Sequence, residues 1–238
     1  MLEEFKKIKF VDKNHTYWKE GTQLPSFSSL LSKLYEPFDS NTIVPKYAKK
    51  NNFTETQVKS AWNTQNTKET LEGSRVHDFA EMYVTQKYLK NMSPDKCVLP
   101  QSSQDLGVIA WWNNVGSKYK ICSLEQVMGN DIFCGTADIL LWLDEEFKQV
   151  IIADYKSNKD IFKDSFGKRL YYPFEFLEDT PYNKYQIQLS AYQVLLEDAG
   201  YTVMDRILIW LNKTGSTLYQ EFHTEDYSKE FRTFLKTL

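Results

Sequence analysis

Three apolar runs rich in β-forming residues follow one another between positions 121 and 156, and they limit the possible folds more than any other part of the chain. They read ICSLEQVMG (121–129), IFCGTADILLWL (132–143) and QVIIADYK (149–156), and short polar segments separate them. Runs of this kind, bounded by turn residues, predict three sequential strands, most simply an antiparallel meander. Because the second and third runs are apolar on both faces, we expect them at the centre of a sheet that helices cover.

Helical patterns flank the predicted meander on both sides in the sequence. The predicted elements outside it are an extended piece or hairpin before residue 27, a helix from about Phe27, one or two short helices in 42–63, helices at 67–90, 106–119 and 182–200, strands at 206–212 and near 217–223, and a terminal helix. Polar segments at 51–57 and 91–105 are predicted loops. This order indicates an α/β fold (α+β with a mixed sheet), and 238 residues favour one domain.

Composition excludes several classes of protein. The apolar share of 42% and charged share of 26% are those of an ordinary globular chain, and no apolar run is long enough for a membrane span. Three dispersed cysteines argue against a disulfide framework, a zinc ribbon or an iron–sulfur cluster, and the opening MLEEFKKIKF is unlike a leader peptide, so we expect a cytoplasmic protein. A net charge of −3 gives no general attraction for nucleic acid, which would have to bind through local basic patches.

The turn DEEFK (144–148) fixes which residues of the second and third strands lie opposite one another. If the turn is symmetric about Glu146, Asp138 lies directly opposite Asp154, and Lys156 lies on the same face of the sheet. Two carboxylates this close repel each other unless a proton or a cation neutralises them. Oxygen ligands favour Mg²⁺ or Mn²⁺, so the pattern indicates a metal site, and a cross-strand salt bridge to Lys156 remains the structural alternative.

Two predicted helices carry further polar residues at one-turn spacing. His77 and Glu81 share a face of the helix at 67–90, and Gln188 and Tyr192 share a face of the helix at 182–200. By themselves a histidine beside an apolar stripe and a Gln/Tyr pair are more often core or hydrogen-bonded structural residues than functional ones. They indicate a functional site only together with Asp138, Asp154 and Lys156 of the predicted strands.

Taken together, four segments resemble the motifs of RecB-like nucleases in the PD-(D/E)XK superfamily, a group that includes phage exonucleases. These are GSRVHDFAE, GTADIL, ADYKS and QIQLSAY, and they extend from Gly73 to Tyr192, about half of the chain. The opening HTYWKEGTQLPSFSSLL is similar to the N-terminal segment of phage exonucleases and of the mitochondrial genome maintenance exonuclease. The resemblance implies a restriction-endonuclease-like core with a central mixed β-sheet flanked by helices. It implies one nuclease domain over 1–238, with a DNA-contacting extension (1–66), the core (67–223) and a C-terminal helix (224–238).

The resemblance also implies a role for each candidate residue. Mg²⁺ or Mn²⁺ would be held by the metal ligands His77, Asp138, Asp154 and the backbone carbonyl of Tyr155. The catalytic residues would be Asp138, Asp154, Lys156, Gln188 and Tyr192, with Lys156 positioning or deprotonating the attacking water and Gln188 and Tyr192 contacting DNA and bracing the lysine. Glu81 would support His77. Further DNA contacts are predicted at Ser26, Ser28, Arg75 and Lys159, although the serines fit ordinary helix capping and Lys159 fits a solvated loop.

The function implied is a metal-dependent DNA exonuclease of the kind phages use in recombination, DNA repair or DNA processing. The alternatives are a structure-specific or restriction-like endonuclease, a non-catalytic DNA-binding module on the same fold, and an unrelated α/β protein in which the motifs occur by chance. The expected partners are DNA that has ends or is single-stranded, and a recombinase or single-strand annealing protein. The expected location is the cytoplasm, that of the host if the chain is phage-encoded.

Overall fold

A five-stranded mixed sheet forms the centre of the protein. The computed structural model describes residues 2–211 and 217–238. The strands of the sheet are β4 (Lys120–Gly129), β5 (Cys134–Asp144), β6 (Gln149–Lys156), β7 (Thr202–Leu211) and β8 (Tyr219–His223), in that spatial order. All neighbouring pairs are antiparallel except β6 and β7, which are parallel. The predicted meander is therefore confirmed, with β5 and β6 inside the sheet. The last residue of the strand predicted at 206–212, Asn212, lies outside the described residues.

Helices cover both faces of this sheet. They are α1 (Phe27–Leu31), α2 (Ser40–Asn51), α3 (Glu55–Val84), α4 (Ser103–Asn114), α5 (Pro181–Asp198) and α6 (Ser228–Leu235). Because side chains alternate along a strand, Leu140 and Ile152 pack against the layer of α1, α5 and α6, whereas Ile139, Leu141 and Ile151 pack against α3 and α4. This two-sided burial explains why β5 and β6 are apolar on both faces. It confirms the predicted mixed α/β fold and is compatible with a restriction-endonuclease-like core.

Helix α3 is longer than the sequence pattern indicates. It begins after Thr54, whose side chain accepts a hydrogen bond from the Gln57 amide while the Gln57 side chain accepts one from the Thr54 amide. The predicted loop at 51–57 and the short helices at 42–63 are instead α2, a brief connection and the first half of α3. Only Val58 is buried in that half, so an apolar stripe could not reveal it. The boundary between 66 and 67 falls inside this continuous helix.

A small three-stranded sheet precedes α1. It consists of β1 (Ile8–Val11), β2 (Thr16–Lys19) and β3 (Thr22–Leu24), all antiparallel, and it agrees with the predicted extended piece. Tyr17 ties it to β5 through a hydrogen bond of 2.9 Å between its hydroxyl and that of Thr136. None of the helices within 2–211 and 217–238 combines the length and the hydropathy that crossing a membrane requires.

Candidate metal centre

Two buried carboxylates lie side by side at the ends of β5 and β6. The pairing Ile139–Ala153 places Asp138 opposite Asp154 in the same register, as the turn geometry predicts. An irregularity between Trp142 and Asp144 adjusts the turn without changing that register. The two aspartates are 8% and 1% exposed. Such burial is costly for paired anions, so the site needs positive charge.

Lys156 supplies one positive charge beside the two aspartates. Its Nζ lies 2.5 Å from Oδ2 of Asp154, and its side chain is 13% exposed. The ring of Tyr185, on α5, lies 4.7 Å from the same Nζ in a cation–π arrangement. Burial lowers the pKa of Lys156, but the charges of Asp154 and Asp138 outweigh it and hold that pKa above its usual value. The lysine is therefore an ammonium in this setting.

Helix α5 brings Gln188 and Tyr192 to the same place. Nε2 of Gln188 lies 3.5 Å from Oδ1 of Asp154 and donates a 2.9 Å hydrogen bond to the Tyr192 hydroxyl. The closeness of α5 to the sheet depends on Gly135, because a Cβ at that position would lie 2.5 Å from Cε1 of Tyr192. The glycine of GTADIL and the tyrosine of QIQLSAY are therefore in direct contact, which gives the spacing of these two motifs a packing reason.

Helix α3 brings His77 to the other carboxylate. Nδ1 of His77 lies 3.3 Å from Oδ2 of Asp138, an oxygen that also accepts a 2.8 Å hydrogen bond from the Tyr155 amide. The Tyr155 side chain points to the opposite face of the sheet, where its hydroxyl accepts a hydrogen bond from Trp112 Nε1. Only the backbone of Tyr155 thus faces the aspartates. Its carbonyl stays a predicted ligand.

Glu125, on β4, is a member of the cluster that the sequence analysis missed. The pairs Leu124–Ile139 and Gln126–Ala137 place it opposite Asp138, and its Oε1 lies 4.0 Å from Nδ1 of His77. Its φ of +43° is in the left-handed region, which is rare for residues other than glycine and is often found at functional sites. A four-residue turn at 130–133, in place of the two residues (130–131) that separate the predicted strands, would have indicated this pairing.

The donor atoms fit a hard divalent cation. His77, Glu125 and Asp138 each offer a ligand atom, and these atoms all lie within 4.8 Å of one another. Next to them, Oδ2 of Asp154 is buried and receives no hydrogen bond of good geometry, despite its closeness to Lys156. A carboxylate oxygen has two lone pairs, so this oxygen can bind a cation while it also faces the ammonium. Three carboxylates and one imidazole are a donor set that can hold a divalent metal ion.

The pKa values of the cluster also indicate that it needs a cation. Burial, together with the charge of Asp138, raises the pKa of Asp154 to about 6 and that of Glu125 to about 9. Burial opposes a charged His77, but Asp138 outweighs it and raises the His77 pKa to about 9. Burial likewise opposes an ionised Asp138, yet the charge of His77 holds the Asp138 pKa below its usual value. Without a cation, the cluster holds protons on His77 and Glu125 instead.

We expect Mn²⁺ to bind more tightly as the pH rises from about 6 to about 9, because the ligands must first lose their protons. The pKa of Asp154 is about 6 and those of Glu125 and His77 are about 9, so each falls in this window. Calorimetric titration in buffers of different ionisation enthalpy measures both the affinity and the protons released. An affinity that does not change across the window, with no proton release, would remove these groups as ligands.

Arg75, a predicted DNA contact, forms hydrogen bonds with several residues of the protein. Its η nitrogens lie 2.9 Å from both oxygens of Asp105, and the guanidinium also contacts Glu72 and Ser102. Arg75 therefore ties α3 to the beginning of α4, and its donors are engaged within the protein.

Glu81 is exposed on α3, and the carboxylate closest to Nδ1 of His77 is that of Asp138. The described contacts therefore do not include the expected support of His77 by Glu81.

The other predicted DNA contacts are Ser26, Ser28 and Lys159. The Ser26 hydroxyl caps α1 by accepting a 3.1 Å hydrogen bond from the Ser29 amide, which supports the structural alternative for Ser26. Ser28 is exposed on the same short helix. Lys159 is exposed in the segment after Lys156 and lines an open cavity of about 910 Å³ along α3. Contacts of these residues with DNA stay predictions.

No family model matches the chain, and no curated protein matches it. A crystal structure of a protein from Eubacterium rectale, named "putative exonuclease", is similar with 17% identity and a TM-score of 0.44. The match covers 71% of this chain and 64% of that one, so it spans less than two thirds of that protein.

Proposed function

We propose that this chain is a Mg²⁺- or Mn²⁺-dependent deoxyribonuclease that hydrolyses phosphodiester bonds from DNA ends. The observation that carries the proposal is the pair of buried carboxylates, Asp138 and Asp154, with a buried ammonium on one side and an imidazole on the other. Phosphodiester hydrolysis needs an activated water, polarisation of the phosphate and compensation of the charge that develops on it. This cluster offers groups for all three tasks.

The metal ligands in this proposal are Asp138 and Asp154, with His77, Glu125 and the Tyr155 carbonyl completing the set. A cation held there would activate water and act as a Lewis acid toward the phosphate. The protein itself provides a rigid cradle, because β4, β5 and β6 are hydrogen-bonded neighbours and α3 and α5 pack against them. Such preorganisation avoids rearrangement during the reaction.

Lys156 serves as a charged hydrogen-bond donor in this proposal. Because the two aspartates keep it an ammonium, it would donate to an oxygen of the scissile phosphate and offset the charge that develops there. Its low exposure strengthens this interaction, since water does not screen it. Gln188 would hold the Asp154 carboxylate in place through its amide, while Tyr185 fixes the ammonium from the other side.

The exonuclease assignment and the wider role are supported by the resemblance of the four motif segments. On that basis we propose DNA with free or single-stranded ends as substrate, a role in phage-type recombination or DNA repair, and a recombinase or single-strand annealing protein as partner. A cytoplasmic location is proposed on the same basis.

Digestion of linear and covalently closed circular DNA, each with Mg²⁺, Mn²⁺ or EDTA, tests the proposed activity. We expect loss of the linear DNA only, and only with a divalent metal, because the proposed enzyme acts from ends. Metal-dependent cutting of the closed circle would replace the proposal with an endonuclease. Binding of DNA without cutting of either form would leave a non-catalytic DNA-binding module.

A further inference from the structure

Four aromatic rings form a continuous surface beyond the end of β6. Phe162 lies at the middle, with ring centroids 5.0 Å from Tyr182, 5.4 Å from Phe222 and 6.3 Å from Trp210. Tyr182 and Phe222 are themselves 5.8 Å apart. Phe162 is nevertheless 52% exposed. Part of its ring packs against these neighbours, and the rest faces solvent. We call these four residues the aromatic platform.

The aromatic platform is directly connected to the metal centre. Trp210 pairs with Lys156 across the parallel strands β6 and β7. Two residues after Lys156, the backbone oxygen of Asn158 accepts a 2.7 Å hydrogen bond from Trp210 Nε1, and its side chain accepts one of 2.6 Å from the Tyr185 hydroxyl. Tyr185 in turn lies against the Lys156 ammonium. A group bound on the platform would therefore be next to the phosphate that Lys156 contacts.

Two exposed lysines flank Phe162 along the chain and can contact a phosphate backbone. Lys159 and Lys163 are exposed in the segment that carries Phe162, and neither has an ion-pair partner among the described contacts. The acidic residues of the same segment, Asp160 and Asp164, turn their carboxylates to the amides of Phe162 and Phe166, at 2.9 and 2.7 Å. The segment thus presents exposed ammonium groups beside an apolar ring surface.

We propose that the aromatic platform binds an unpaired base of single-stranded DNA, stacked on Phe162, next to the bond that is cut. This inference rests on the proposed function and adds the strand type of the substrate. An aromatic ring beside lysines is the arrangement that proteins use to hold single strands, because every base has a face that can stack. In a duplex those faces are covered by neighbouring bases, so a stacking surface of this kind selects an unpaired strand.

Binding measured in EDTA separates this inference from the cleavage reaction. The probes are a fluorescein-labelled oligothymidylate of about twenty nucleotides, a strand of the same length built from abasic sugars, and a blunt duplex. We expect the wild-type chain to bind the oligothymidylate about tenfold or more tightly than the abasic strand. Phe162→Ala should lose about that factor for the oligothymidylate and little for the abasic strand, and Phe162→Trp should retain it.

The matched control is Phe147→Ala. Phe147 is 67% exposed in the turn between β5 and β6, which is at the far end of these strands from Lys156. Its replacement should not affect binding. Equal binding of the oligothymidylate and the abasic strand by the wild-type chain, a comparison that needs no variant, would overturn the inference. So would unchanged binding by Phe162→Ala, or tighter binding of the duplex. Cleavage that persists with any of these results would leave the proposed function intact, whereas Phe162-dependent binding without any cleavage would refute only the proposed function.

Discussion

Asp154→Asn is expected to lower the rate of DNA cleavage by about a thousandfold or more while leaving the fold intact. Asp154 is the most buried member of the cluster, and its Oδ2 faces the Lys156 ammonium at the place where we propose that the cation binds. Asparagine has the same shape but only one neutral oxygen, so both the metal and the charge that organises Lys156 are weakened. The initial rate of nucleotide release from linear DNA with Mn²⁺ measures the effect.

Thermal stability distinguishes this loss from misfolding. Burial raises the pKa of Asp154 to about 6, above the value of an unfolded chain, so its contribution to stability is present in acid and is lost as the pH rises through 6. At neutral pH and above, the ionised carboxylate therefore destabilises the metal-free fold. We expect the variant to melt no lower than the wild-type chain in EDTA and to lose the stabilisation by Mn²⁺ that the wild-type chain shows.

Asp131→Asn is the matched control for this substitution. Asp131 lies in the turn between β4 and β5 with a 90% exposed side chain that pairs with Lys19. Its replacement should change neither cleavage nor the response to Mn²⁺. Near-wild-type cleavage by Asp154→Asn would show that the reaction takes place elsewhere.

Lys156→Met is expected to reduce cleavage by about a hundredfold or more without weakening Mn²⁺ binding. The methionine keeps the apolar stem but removes the ammonium that would stabilise charge on the phosphate. Because the same ammonium lies 2.5 Å from Asp154, its removal also removes a positive charge that competes with the cation. Cleavage rates and calorimetric Mn²⁺ titrations, made on the same preparation, measure the two effects.

The control for Lys156→Met is Lys120→Met. Lys120 pairs with Glu145 at the far end of β4, and its side chain is 66% exposed. We expect the Lys120→Met variant to have wild-type cleavage and metal binding. If Lys156→Met lost Mn²⁺ binding together with cleavage, the lysine would be a structural support for the aspartates rather than a participant in the reaction.

The placement of Asp138, Asp154 and Lys156 together could be predicted from the sequence because the relevant geometry is local. Asp138 and Asp154 belong to one antiparallel hairpin, so the turn sets their pairing, and strand alternation places Lys156 on the same face. Glu125 was missed because its position depends on the length of a different turn and on a backbone conformation that the sequence does not indicate. The continuity of α3 was missed because its first half is almost entirely exposed, so the cap at Thr54 rather than an apolar stripe marks where the helix begins.

Contacts between distant segments could not be predicted in the same way. Arg75 is a predicted DNA contact, but its guanidinium donates a hydrogen bond to Asp105, which is thirty residues away in the sequence. The position of Trp210 beside Lys156 depends on the parallel pairing of β6 and β7, whose connection includes all of α5. Parallel strands are not joined by a short turn that would set their register. The aromatic platform therefore could not be predicted from the sequence.

Metal-triggered degradation of an end-labelled single strand tests the central claim most directly. The chain and the DNA are mixed in EDTA, excess Mn²⁺ is added, and the labelled products are followed over time on a sequencing gel. We expect an intact strand before the addition and rapid shortening after it, because the cluster of Asp138, Asp154 and Lys156 becomes active only with its cation. A strand that stays intact with every divalent metal, although the chain binds both Mn²⁺ and DNA, would contradict the account and leave the aspartates and the lysine as a buried ion pair.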